Sequence, residues 1–158
     1  MRGRALALLT LASLAAAGAG AQTARVWEVN GIRLEASQVE RLASDIARQT
    51  VTAVERQPGL ALTALQASAL ERIYHAEALD TYDEVVAVVN RGDLDDTAKE
   101  AEVKRLVLAG QEQSSGQVAT VLDPVQYETY RAWEQQQVES FKQRGLWSNG
   151  RRARRARR

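Results

Sequence analysis

Leu62-Thr63-Ala64-Leu65-Gln66 and, sixty positions later, Leu122-Asp123-Pro124-Val125-Gln126 decide the fold of this chain. Each phrase places a hydrophobe first, a helix-capping residue second and a glutamine three residues after the cap. In that arrangement the Thr or Asp side chain accepts the N–H of the third helical residue, and the glutamine reaches back to the N–H of the cap. Pro124 falls at the first helical position, where its missing N–H takes no bond away. The phrase therefore predicts two helix starts, at residues 63 and 123, and its repetition predicts two related helical units.

The same reading extends along the chain. A first helix is expected over 37–57, capped by Ser37 with Glu40 closing a box, striped by Val39, Leu42, Ala43, Ile46, Thr50, Val51 and Val54, and ended by Pro58-Gly59. The helix beginning at Thr63 runs to about Asn90, with one stripe of Leu65, Ala69, Ile73 and Ala76 and a second, rotated one of Leu79, Tyr82, Val86 and Val89. A rotating stripe implies two different neighbours. Val85–Val89 is β-prone, so a strand there is the competing reading. Thr97 and Glu100 form a further box for a helix over 95–120, with Val103, Leu106, Val107, Val118 and Val121 as core candidates and Gly110 and Gly116 as weak points. The last helix runs from Pro124 to about Arg144, with a face of Tyr127, Tyr130, Trp133, Val138 and Phe141, a staple between Leu122 and Tyr127, and Gly145 as a left-handed stop. Upstream, Asn30-Gly31 between β-prone residues 25–34 is a short hairpin signal. An isolated hairpin is marginal, so it must dock on the helices or on a partner. The expected class is all-α: about four helices in long antiparallel hairpins, a short N-terminal β-hairpin and a disordered basic tail.

Composition narrows the setting. Arg2 and Arg4, an apolar run over 5–17 and Ala19-Gly20-Ala21 make an export signal, 1–21, cleaved after Ala21. A membrane-spanning anchor asks for ~20 strongly apolar residues, and this stretch is short and rich in alanine. Residues 22–36 form the hairpin segment, 37–145 the helical domain and 146–158 the tail. The chain has no cysteine, and its one methionine is Met1, so helix packing rather than disulfides must hold it. Residues 22–149 carry 13 basic and 20 acidic side chains, a net charge of −7. Arg151, Arg152, Arg154, Arg155, Arg157 and Arg158 then add six positive charges. Such a run seeks anions such as an anionic membrane surface, lipopolysaccharide or acidic proteins, or it is a solvated tail of a high-arginine chain. Export makes nucleic acid an unexpected partner.

Chemistry is sparse. His75 is the single histidine and stands in mid-helix near Glu71. Asp93, Asp95 and Asp96 lack the glycine and closing glutamate of a calcium loop. No nucleophile–base pair, phosphate loop or cluster of metal ligands is visible, so no enzyme activity, cofactor or metal is expected.

Two cap phrases of the LTxxQ kind in a short, exported, helical chain resemble the Spy/CpxP family of periplasmic stress proteins, over residues 60–142. The second copy departs from the pattern with Asp123 in place of threonine, although aspartate caps as well. The resemblance implies a periplasmic, ATP-independent chaperone-like or envelope-stress protein, homodimeric, which binds unfolded or partner proteins on a concave face. Leu62, Thr63, Gln66, Leu122, Asp123 and Gln126 are its motif residues. Tyr74, Tyr82, Tyr127, Tyr130 and Trp133 are candidate client contacts or, equally, core. The alternative is a regulatory or structural interaction module tethered to anionic surfaces by its arginine tail.

Overall fold

Four stretches of the described residues are helices, and an extended residue stands immediately before each. Glu35 (φ −85°, ψ 153°), Thr63 (φ −71°, ψ 159°), Asp95 (φ −76°, ψ 170°) and Asp123 (φ −69°, ψ 165°) hold the conformation an N-cap requires. They open α1 (Ala36–Glu55), α2 (Ala64–Val89), α3 (Asp96–Val118) and α4 (Pro124–Gln143). Two strands precede them, β1 (Val26–Val29) and β2 (Ile32–Glu35), paired antiparallel with Trp27 opposite Leu34. The computed structural model describes residues 26–29 and 32–146. The expected export signal over 1–21, the hairpin turn expected at Asn30-Gly31 and the expected basic tail from residue 147, with Arg151, Arg152, Arg154, Arg155, Arg157 and Arg158, lie outside the described residues. The all-α class with four long helices is as expected.

Two helix starts differ from the sequence reading. β2 runs directly into α1, so Glu35 is already extended and becomes the cap; its N–H donates to Gln38 Oε1 at 2.8 Å, and Ser37 falls inside the first turn. At α3 the Asp95 carboxylate takes the Ala98 N–H at 2.8 Å, which leaves Thr97 inside the helix. Glu100 serves elsewhere, accepting the Leu146 N–H at 3.0 Å and pairing with Lys104 at 3.1 Å. Val85–Val89 is helical, because Val86, Val88 and Val89 find apolar neighbours on helical spacing. α1 ends at Glu55 with Arg56 as its C-cap, two residues short of the expected 57, and Gly59 (φ 86°) is left-handed in the turn that follows. Arg144 is extended (φ −88°, ψ 138°), so the chain leaves α4 through it rather than through a left-handed Gly145.

The helices pack antiparallel in chain order, with α2 central. Near its start, Leu70 and Tyr74 meet Ala47, Val51 and Val54 of α1, Val118 of α3, and Tyr130 and Trp133 of α4. Farther along, Ala78 packs on Ala43 and Ile46, while Tyr82 and Val86 pack on Val39 and Leu34. Leu34 thereby docks the β-ribbon on the helices. At the far end Val88 and Val89 join Val103, Leu106 and Val107 of α3 and Phe141 of α4, and Leu146 folds back onto this cluster. The first stripe of α2 is therefore Leu70-Tyr74-Ala78. Leu65 and Ala76 are exposed. Apolar residues are so dense in α2 that the pattern alone has little contrast. Burial, followed by the Asp83 charge, pushes the Tyr82 phenol up to about 12.

Gly110 lets α3 approach α2. A Cβ there would stand 2.7 Å from Thr81 Oγ1, whereas a Cβ at Gly116 meets nothing within 4 Å. Alanine favours a helix interior over glycine by about 1 kcal/mol, but overpacking a buried contact costs about 1–3 kcal/mol. Gly116→Ala is expected to raise the thermal midpoint and Gly110→Ala to lower it, measured side by side by circular dichroism. The raised Tyr82 value has a consequence in base: stability held below the ordinary phenol value of 10.0 is lost as pH rises toward about 12. Tyr82→Phe should make that loss shallower in melts taken across the same range.

Candidate functional site

The two cap phrases cap themselves and each other. Gln66 Oε1 accepts the Thr63 N–H at 2.9 Å, and Thr63 Oγ1 accepts the Gln66 N–H at 3.2 Å. Asp123 and Gln126 repeat the exchange at 3.1 and 2.8 Å. With each Oε1 committed to its own cap, each amide nitrogen faces the other unit. Gln66 Nε2 donates to the Val121 carbonyl at 3.2 Å, and Gln126 Nε2 donates to the Ala61 carbonyl at 2.9 Å. Ala61 and Val121 occupy the same place before each phrase, so the exchange has local two-fold symmetry. A further bond from Gln66 Nε2 to Gln126 Oε1, 2.8 Å, joins the glutamines directly. Glutamate would close an ordinary capping box but has no donor for the opposite carbonyl. Glutamine is needed for the second half of the arrangement.

Leu122 is buried and Leu62 packs against the same cluster. The fourth residues of the phrases face outward: Leu65 is 85% exposed and Val125 73%. They are the large hydrophobic residues exposed among the described residues.

The aromatic residues named as client contacts lie largely inside. Tyr74, Tyr82, Tyr130 and Trp133 are buried, and Tyr127 is half-buried, stacked on Tyr130 with ring centroids 6.1 Å apart. Trp133 shows an edge to a groove of about 740 Å³ between α1 and α4, whose walls carry Asp45, Arg48, Arg56, Gln136 and Gln137. A second cleft, about 580 Å³, lies on the other flank of α4, against α3. Most of the residues that line the two grooves carry amides or charges, and their stems add apolar surface.

Between α3 and α4 lies a polar cluster that no hydrophobic pattern announces. Glu134 is 3% exposed. Its Oε1 accepts the Tyr130 hydroxyl at 2.6 Å; its Oε2 accepts the Ser115 hydroxyl at 2.9 Å and Arg131 Nη1 at 3.2 Å. The carboxylate is therefore compensated on both oxygens, which a buried charge requires. The half-exposed Arg131 supplies a cation to the cluster, which holds the α3–α4 helix pair together.

His75 Nε2 lies 2.9 Å from Glu40 Oε2 and ties α2 to α1. In the α2–α3 turn, Arg91 and Asp93 close on each other at 3.1 and 2.6 Å, and the hydrogen bond from Arg91 holds the Asp93 carboxyl below its ordinary value. No group of three or more acidic, histidine or cysteine side chains able to hold a metal occurs among the described residues. No described helix is long and apolar enough to cross a membrane. No family model, curated protein or solved structure matches this chain.

The reciprocal caps make Gln66 and Gln126 energetically dependent. A double-mutant cycle with Gln66→Ala and Gln126→Ala, read by urea denaturation, should give a coupling energy of about 1 kcal/mol. Gln66→Glu should destabilise by about 2 kcal/mol, since it sets a carboxylate against the Val121 carbonyl and Gln126 Oε1. Glu134→Ala, which strands the Tyr130 and Ser115 hydroxyls, should cost about 3 kcal/mol in the same assay.

Proposed function

We propose that this chain is an exported, ATP-independent binding protein of the Spy/CpxP kind, acting in the periplasm as a homodimer that holds unfolding or partner proteins. The observation that carries the reading is the pair of reciprocally capped LTxxQ-type helix starts, which sets α4 across the bundle with an open groove on each flank. Grooves lined by amides and mixed charges suit weak, reversible contacts with polypeptide, for which no nucleotide is needed. With most aromatic side chains in the core, such contacts would combine the amides and charges of the grooves with the apolar stems beside them. The arginine tail adds an attraction to anionic surfaces.

A dedicated-partner reading has one observation of its own. Leu65 and Val125, one beside each of the reciprocal caps, are exposed apolar side chains that docking of a dedicated partner would cover.

Light scattering of two unrelated unfolding proteins, mixed with the purified protein at low and high salt, tests the proposal. Suppression of both near equal stoichiometry, weakening in salt, is the expected result. Absence of suppression at either salt concentration overturns the chaperone reading and leaves the dedicated partner.

A further inference from the structure

The end of the bundle that holds the reciprocal caps is almost without charge. Residues 57–70 contain no charged side chain and residues 113–127 contain one, Asp123, in a chain that is 26% charged. Leu60, Leu70, Val118 and Leu122 of these runs share one buried cluster, so both runs lie at the same end. Asp123 is committed to the Gln126 N–H at 2.8 Å. Charged side chains resume immediately outside both runs, at Arg56, Glu71, Glu112 and Glu128.

Leu65 and Val125 stand out on this end. Each is the second residue of its helix, after Ala64 and Pro124, and they are 85% and 73% exposed. An exposed second position is where a helix start favours an acidic side chain, because the backbone N–H groups there carry partial positive charge. Neither α2 nor α4 has an acid in its first turn. A leucine and a valine left in water bury nothing and so add nothing to the fold, yet both phrases place a hydrophobe at the same point. What these side chains serve therefore lies outside the single chain.

A charge-depleted centre with apolar side chains is the composition of a protein interface core. The occupant that fits is the same end of a second copy. The reciprocal caps give this end a local two-fold arrangement with one hydrophobe beside each cap, so two copies meeting end to end set apolar side chain on apolar side chain on both sides of the axis. The body over residues 22–149 has its net charge of −7, so two copies repel each other elsewhere and least at an end with one charge. Leu146 packs with Phe141 at the opposite end, so the arginines that follow it in sequence do not begin at this face. A lipid surface fits less well, because the two runs have no tryptophan, lysine or arginine to anchor among headgroups.

We propose that this chain dimerises end to end through its cap end, with Leu65 and Val125 at the centre of the contact. The proposal rests on the homodimer reading above and names its interface; it also withdraws from the dedicated-partner reading the two side chains that favoured it. About half of the residues in the two runs are exposed, fewer than the ~20–30 a side of a standard interface, so a weak dimer with a micromolar Kd is expected.

Sedimentation velocity of the purified protein, from about 1 to about 100 μM, tests the contact. The wild type is expected to pass from monomer to dimer over that range. Leu65→Glu combined with Val125→Glu should weaken the dimer about tenfold or more, while the thermal midpoint of the diluted protein holds or rises, since glutamate suits both helix starts. Leu65→Lys combined with Val125→Lys should weaken it likewise. An equal mixture of the two double variants should restore the dimer, which a loss of folding could not produce. A wild type that stays monomeric overturns the end-to-end contact together with the homodimer reading. If that monomer sediments with phosphatidylcholine vesicles and the glutamate variant does not, the end belongs to a lipid surface instead. A wild type that dimerises, with both double variants dimerising equally well, rejects the cap end and keeps the homodimer. The chaperone reading is scored separately, by suppression of scattering in the wild type, whichever surface joins the copies.

Discussion

The rest of the structure depends on two side-chain amides that share four obligations. A helix start leaves backbone N–H groups without acceptors, and a tight turn before it leaves carbonyls without donors. Gln66 and Gln126 each carry one acceptor and one donor group, pointing in different directions within the plane of the amide. Each therefore serves its own cap with oxygen and the opposite turn with nitrogen. Two chain segments sixty residues apart are held at hydrogen-bond distance as a result. With the start of α4 placed beside the start of α2, Tyr130 and Trp133 drop into the cluster built by α1, α2 and the end of α3.

The other end of α4 is held differently. Phe141 and Leu146 pack on the Val103-Leu106-Val107 surface, Lys104 reaches the Lys142 carbonyl, and Glu100 takes the Leu146 N–H. Between its two anchored ends α4 meets α3 through polar side chains. Compensated groups such as Glu134 specify how the two helices face one another while adding less stability than an apolar seam would. Gln111, whose amide nitrogen has no partner there, adds none. The molecule thus combines an apolar spine along α2 with a polar, open side at α4, where both grooves lie.

Legibility from the sequence varied with how local the deciding physics was. The starts at Thr63 and Asp123 were readable because cap and acceptor lie within one turn. The starts of α1 and α3 were displaced by one or two residues because capping residues compete: Glu35 is preset by the strand it ends, and Asp95 outcompetes Thr97 once the turn makes it extended. The α1 stripe was clear, since seven apolar or small residues are spaced among charges. The α2 stripe was not, because alanine and valine fill most of its faces. Glu134, Gln111, Ser114 and Ser115 were invisible as buried positions, for a hydrophobic pattern marks a polar residue as solvent-facing whatever surrounds it. Tyr74, Tyr82, Tyr130 and Trp133 fitted both a core and a contact surface, and only packing against partners distant in sequence separates those two fates.

By itself, then, the sequence determined four helices, where α2 and α4 begin, the glycine turn after α1, and a chain with no disulfides to rely on. Those outcomes follow from bonds made within a few residues and from composition. Only the tertiary structure decided that the two glutamines would answer each other, that Gly110 would admit Thr81, that the aromatic face of α4 would turn inward, and that a charged cluster would be buried on the α3–α4 side. Each of these depends on which surface meets which across tens of residues, a choice that the local preferences of the chain leave open.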